Sequence, residues 1–539
     1  MQLRITGNDS IAQNVIDSIY KPTKFKNFKT LKTKLDSLVI VFQKTGFIEA
    51  EIQNQERIND SLFEAKIYLK NKFYSIYIHN YKSLVSKNLL ETISESFTED
   101  YFITKISNIE NALNTINECL IANGNPFSKV TLENITKIDN NNLRADLKSE
   151  SNKKRYIDKI VVKGYENFPR SYIKYFLKLK LNTNLNLEEL NVKTKNINNL
   201  RFASEIKSPE IQFTKDSTTV YLYVKKSKSN FFDGFLGFGT NEDNGKIEFN
   251  GYLDLNLINN LNYGESLNIT YKSDESEQRT FEATVILPYL FNSPIGTEFS
   301  LNIFKKDSSF TTTQQKANLF YNINPKNKIF IGLKTSQSNS LSSLNSLNTV
   351  DYKSSFIDTK YEYINPSLDN QLFPINMYSS LTIGFGKRKY ESENQKQTQI
   401  QLNTYKIFNL NAKNSIYFRI NSEGILSDNY FENELLRFGG INSIRGFEEN
   451  SLIASIYGVI NSEYRYQLSP SIYLHSIIDA GYFENQISNT KEKLFGFGFG
   501  FGVRTQSGLI KLNYAIGKTE NKNYKFSNSK IHISFIANF

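Results

Sequence analysis

The sequence predicts an α+β N-terminal part, built as three β-α-α-β-β modules, followed by an all-β, sixteen-stranded antiparallel transmembrane barrel. Three observations carry this. First, a unit with one order of helical and extended patterns recurs through residues 1–228 at intervals of 78 and 76 residues. Second, the helical period stops near Phe231 and gives way to short runs of period 2 separated by polar turns. Third, the last connections alternate between tight and long, as in a barrel whose two ends face different compartments.

The repeats come first in the chain. "LRITG", "FYSIYIHN" and "IDKIVVKGYENF" each open a unit as a short strand. Helical patterns follow, such as Leu31, Leu35, Leu38 and Phe42, spaced to share one face. "KTGFIEAEI" ending at Ile52, "ANGNPFSKV" at Val130 and "NLRFASEI" at Ile206 mark the equivalent positions that set the repeat interval. A second strand then closes each unit: "LFEAKIYLK", "NLRADLKSE" and "TTVYLYVKK". Modules over 1–72, 73–152 and 153–228 follow from this, with a barrel over 229–539.

Eleven period-2 runs precede Gly439 and five follow it, an even number that lets an antiparallel sheet close on itself. In "LFGFGFGFGVR", Phe495, Phe497, Phe499 and Phe501 share one face, and Gly496, Gly498, Gly500 and Gly502 the other. In "KIHISFIANF", Ile531, Ile533, Phe535 and Phe539 share a face, while His532, Ser534 and Asn538 share the opposite one with the exception of Ile536. "QLSPS" and "TQSG" read as tight connections, "ENQISNTKEK" and "KTENKNYKFSN" as long ones.

Composition agrees with a barrel. Phe and Tyr number 41 and 32 with no Trp, and mean hydropathy is −0.44. No run of 18 apolar residues exists for a membrane helix, but a barrel alternates lipid-facing and lumen-facing residues and keeps its average low. The net charge of +11 is dispersed, with no basic block, so it reads as solvated faces beside an anionic lipid surface and not as a nucleic-acid site. Cys119 is the one cysteine and lies in a helical pattern, so no intramolecular disulfide forms. His79, His475 and His532 have no metal-ligand spacing, and neither a G-x-S-x-G nor a paired catalytic carboxylate is present. We therefore expect no catalytic residues, no metal and no cofactor. "MQLRITGNDS" lacks the apolar segment of a signal peptide.

The stretch "GGINSIRGFEENS", Gly439 to Ser451, frames one cation, Arg445, with apolar neighbours and glycines. Ile444-Arg445-Gly446-Phe447 resembles the (V/I)-R-G-(F/Y) motif of the BamA/TamA superfamily of outer-membrane protein insertases, and the three modules resemble its POTRA repeats. The resemblance spans nearly the whole chain. It implies that the motif tips a sixth extracellular loop folded back into the lumen, where acids of the barrel wall hold its arginine. "IIDAGY" is similar to the family's aromatic-x-D-x-G, with Ile477 in place of the aromatic, and gives Asp479; "NSEYRY" gives Glu463. Period-2 parity turns Glu463 inward with Asn461 and Arg465, and Asp479 inward with Gly481.

The resemblance further implies a bacterial outer-membrane protein with periplasmic repeats, from which a signal segment has been removed. It would receive unfolded outer-membrane protein clients on the repeats and template their insertion at the seam between first and last barrel strands, beside outer-membrane lipids and accessory assembly subunits. The seam is expected at Gly234, Gly237 and Gly239 on one side and at Phe535 and Phe539 on the other. The alternative within the superfamily is a two-partner-type secretion pore passing an extended protein through the lumen. A plain porin or receptor barrel is a different class, and the loop motif speaks against it; an enzyme is not expected.

Overall fold

The structure is a computed structural model. It describes residues 1–150, 153–240, 247–273, 278–341, 349–367, 370, 372–505, 508–520 and 529–538, with side chains omitted at 235–251 and 532–538. The chain divides into two compact units: Met1–Lys159 with Leu181–Leu190 and Gln212–Thr219, and Ile160–Lys180 with Asn191–Ile211 and Val220–Phe539.

In the first unit, helix Ser10–Ile19 begins where the Asp9 carboxylate accepts from the Ala12 N–H at 2.7 Å. Helix Phe28–Lys44 begins where the Asn27 side chain accepts from the Thr30 N–H at 2.9 Å. Such side-chain acceptors satisfy N–H groups that the first helical turn leaves open. Leu31, Leu35, Leu38 and Phe42, the stripe seen in the sequence, are buried against a sheet ordered Gln2–Thr6, Leu62–Tyr68, Glu51–Arg57. The outer strand Glu51–Arg57 is almost wholly exposed.

The next module has its own core, from Phe73 and Ile76 to Leu147. It departs from the simple repeat: a hairpin, Ser96–Phe97 and Tyr101–Lys105, sits between its two helices and extends the sheet to five strands. Tyr101 to Thr104 alternates half-buried and buried residues, a period of two that suits a strand. In the third repeat the first helix is a π-helical turn, Tyr172–Phe176, closed by Leu177 N–H to Tyr172 O at 2.8 Å. The wider turn gathers Tyr172 and Phe168 with Phe202.

Within the second unit this aromatic group meets the barrel's repeat-side turns. Tyr172 stacks edge-on against Tyr289 at 4.9 Å and its hydroxyl donates to Gly264 O at 3.2 Å. Gly264 has φ +79°, and a Cβ there would lie 2.1 Å from the Tyr172 ring, so both backbone shape and space require glycine. Burial pushes the Tyr172 phenol far above its ordinary pKa and keeps it a neutral donor. Asn259 joins the contact, donating to Tyr165 Oη at 2.8 Å.

Sixteen antiparallel strands, each paired with its chain neighbours, form the closed barrel. The first is Phe231–Thr240 and the sixteenth Lys530–Asn538. Its residues are inverted relative to a water-soluble fold. Phe299, Leu333, Ile357, Phe385 and Phe499 are exposed on the outer face, whereas Asn318, Asp358, Asn461 and Asp479 are buried inside. That inversion suits a hydrocarbon solvent, and a closed ladder leaves few backbone groups to satisfy. No helix among the described residues is long and apolar enough to cross a membrane.

One expected connection is corrected. "ENQISNTKEK" is not a long loop: Ile472–Asn485 and Thr490–Arg504 pair up to Asn485–Thr490. Asn489 at φ +57° makes the tight turn, and Glu484 pairs with Lys491 at 3.4 Å. The ladder outruns the apolar band because backbone pairing needs no apolar side chains, and cross-strand charges suffice in water. Conversely, 259–265 and 288–294 are wide turns on the repeat side, so connection length does not alternate strictly.

Candidate functional site: the loop inside the barrel

Residues 427–455 join the eleventh strand, Asn414–Leu426, to the twelfth, Ile456–Ser469. A short antiparallel pair, Leu436–Phe438 with Leu452–Ala454, makes a neck for this loop. Phe438 lies flat on Tyr457 of the twelfth strand, with ring centroids 4.3 Å apart and planes 5° apart. Around it a buried apolar cluster contains Ile444, Val459, Phe483 and Leu494, with Phe447 packed on its margin. The neck therefore seats the loop on the inner wall by apolar burial before any charge is considered.

Beyond the neck, Gly439 and Gly440 adopt φ of +112° and +90° and turn the chain back sharply. The turn delivers Arg445, 5% exposed, to the twelfth and thirteenth strands. Its Nε donates to Asp479 Oδ2 at 2.8 Å and its Nη2 to Asp479 Oδ1 at 2.5 Å, a fork matched to a carboxylate. Its backbone N–H donates to the same Asp479 Oδ2 at 2.9 Å. Nη1 donates to Glu463 Oε1. Glu463 is held from its other side by Arg465, Nε to Oε2 at 2.7 Å. Two guanidiniums and two carboxylates thus alternate in the order Asp479, Arg445, Glu463, Arg465, the arrangement that makes burying the first three tolerable.

Glycines make the close approach possible. A Cβ on Gly496 of the fourteenth strand would lie 2.3 Å from Arg445 O. Gly446 has φ +89°, and a Cβ there would lie 2.3 Å from the backbone N of Gly517. The inward glycine face of "FGFGFGFG" is the floor on which the loop rests, while Phe497 and Phe499 face outward. Past the motif, Glu448 pairs with Lys530 of the sixteenth strand at 2.8 Å and Glu449 with Lys272 of the third at 3.0 Å.

The structure thus brings Ile444, Arg445, Gly446 and Phe447 together with Asp479 and Glu463. The seam residues are distributed differently. Among the described residues the first and sixteenth strands pair only at Phe231–Asn538 and Phe232–Ala537. Gly234, Gly237 and Gly239 pair with Leu253, Asn250 and Glu248 of the second strand. Phe535 pairs with Ile510 of the fifteenth, and Phe539 lies outside the described residues. Sequence reading did not find a second charged contact of the same loop, Glu434 with Arg388 of the ninth strand, beside Asn433 on Ser338. The available signal was Phe431-Glu432-Asn433-Glu434, in which the Glu434 carboxylate accepts from the Phe431 N–H at 2.9 Å. No cluster that would hold a metal ion occurs among the described residues.

Fold and site define a class: a membrane barrel preceded by α/β repeats, with an arginine-tipped loop folded into its lumen. Residues 259–535 match the Omp85 superfamily domain, and the chain belongs to that superfamily. It is an outer-membrane β-barrel protein, and proteins of this family handle protein clients at that membrane. Among solved structures, it is similar to BamA from Haemophilus ducreyi lacking POTRA domains 1–3 (14% identity, 87% of this chain and 100% of that one, TM-score 0.50). It is also similar to CdiB from Acinetobacter baumannii (15%, 95% and 97%, TM-score 0.53). CdiB from Escherichia coli is a third (12%, 95% and 98%, TM-score 0.54). No curated protein matches the chain in sequence.

Proposed function

We propose that this chain is an outer-membrane assembly factor that receives unfolded β-barrel clients on its periplasmic repeats and templates their insertion at the barrel seam. The observation that carries the reading is the seam itself. Among the described residues two pairs join the first and sixteenth strands, whereas the ninth and tenth, Ile375–Tyr390 and Glu393–Asn409, pair from Met377–Lys406 to Tyr390–Glu393. A backbone hydrogen bond contributes ~0.5–1.5 kcal/mol net, so this junction opens at far lower cost than any other in the ring. An opened first strand presents unpaired N–H and C=O groups, a template for a client strand. Exposed edges at Glu51–Arg57 and Val130–Lys137 offer the same chemistry earlier in the path. The loop locked within the lumen supports a lateral route over a central one.

The test is a disulfide across the seam, Phe231→Cys with Asn538→Cys in a Cys119→Ser background. The full chain is reconstituted in liposomes and offered a urea-unfolded outer-membrane barrel. Oxidation is expected to stop client insertion, and reductant to restore it. Full insertion by the oxidised protein would overturn the proposal. Passage of an extended polypeptide into the liposome by the oxidised protein would favour the secretion-pore alternative.

A further inference from the structure

Arg445 is not the only ion pair fixing the internal loop. On the descending limb, residues 432–434 form a single 3-10 turn. Glu434 projects from it and pairs with Arg388 of the ninth strand, the two side chains 5% and 2% exposed. Gln397 of the tenth strand also donates to Glu434, at 3.1 Å. Arg388 donates to Asn429 as well, and its guanidinium lies 3.9 Å from the centre of the Phe431 ring. Next to Glu434, Asn433 donates to Ser338 Oγ and to Val350 O, each at 2.8 Å. Tyr352 of the eighth strand donates to Asn433 O at 3.3 Å.

The polarity is the reverse of the first site. There the loop carries the arginine and the wall the acids; here the loop carries the acid and the wall the arginine. The wall segments differ too: strands seven to ten here, twelve to fifteen there. A buried ion pair adds little stability over apolar residues of equal volume, but it penalises any register that leaves one charge alone. Two pairs of opposite polarity, on different arcs of the wall, penalise the rotation and the sliding that either pair alone would permit.

We propose that Arg388 and Glu434, with Asn433, form a second lock on the loop, so that the lumen clears only when both this lock and the Arg445 lock release. Arg388 and Glu434 are positioning residues and need touch no client. The lock holds whether clients leave sideways or through the lumen, so its test does not depend on the seam.

The test is the conductance of the full chain in a planar lipid bilayer, with heat-modifiable migration on a gel as the check that each variant is folded. R388A is expected to raise the frequency of wide-open events by about tenfold or more, as expected when one member of a buried pair is removed. E434Q keeps the side chain's shape and its acceptor for the Phe431 N–H; it is expected to do the same, and stands in should R388A not assemble. R388A with E434Q together is expected to add nothing beyond either alone, whereas E434Q with R445A multiplies the two single effects. Folded E434Q with wild-type conductance overturns the proposal, as do additive effects of R388A and E434Q.

Discussion

Replacing Arg445 by alanine tests the arginine–carboxylate site most directly. The substitution removes three side-chain hydrogen bonds, two to Asp479 and one to Glu463. The backbone donor to Asp479 survives, and Glu463 keeps Arg465. Removing one member of a buried pair costs ~3–5 kcal/mol, and the surviving partners place this case at about 3. At 1.4 kcal/mol per factor of ten, that is roughly a hundredfold change in the local opening equilibrium of the loop tip. The barrel itself stands on its strand ladders, so the variant is expected to fold and migrate as wild type. The assay is amide hydrogen exchange of residues 443–447 in detergent, where protection reports local opening free energy. Exchange about a hundredfold faster there, with the thirteenth strand unchanged, is the expected result. Arg445→Lys keeps the charge without the fork and should fall between. Wild-type protection of the tip in Arg445→Ala would refute the reasoning, because the neck and its apolar cluster would then hold the loop unaided.

Other expectations are simpler. Gly446→Ala combines a left-handed backbone with a Cβ 2.3 Å from Gly517 N, so it should free the loop tip as much as losing Arg445 does, by the same exchange measurement. Residues 229–539 should run as a heat-modifiable barrel in detergent, and a monodisperse detergent-free preparation would contradict the lipid-facing surface. Residues 1–152 hold two separate cores and should give a soluble fragment of mixed helix and strand by circular dichroism; a disordered fragment would count against independent modules.

The sequence disclosed the parts of this protein that obey a period. The Leu31, Leu35, Leu38 and Phe42 stripe, the Phe/Gly alternation of the fourteenth strand and the inward parity of Glu463 and Asp479 each follow from helix or strand geometry, and the structure has them so. The arginine motif was legible because its tight glycine frame is local. What stayed hidden was long-range. Arg388 and Glu434 are 46 residues apart, and the local signal at Glu434 does not point to its partner. The hairpin Ser96–Phe97 and Tyr101–Lys105 is too short to outweigh the helical patterns flanking it. The length of the "ENQISNTKEK" turn was misread because polar residues were equated with loop, although a strand outside the apolar band carries them freely.

The tyrosine contact between the third repeat and the barrel makes the two flanks of the seam mechanically unequal. Tyr172 and Tyr165 grip the turn 259–265, and Tyr172 also holds the turn 288–294 through Tyr289. These turns stiffen the second to fifth strands, and through the continuous Phe231–Asn256 to Thr240–Ile247 ladder they stiffen the first strand as well. The sixteenth strand has only its ladder with the fifteenth, two residue pairs across the seam, and the Lys530–Glu448 contact among its described attachments. The two flanks therefore behave as a fixed jamb and a swinging leaf, with compliance concentrated in the C-terminal hairpin. Under lateral stress in the bilayer, the fifteenth and sixteenth strands deflect while the first is held through its ladder to the second.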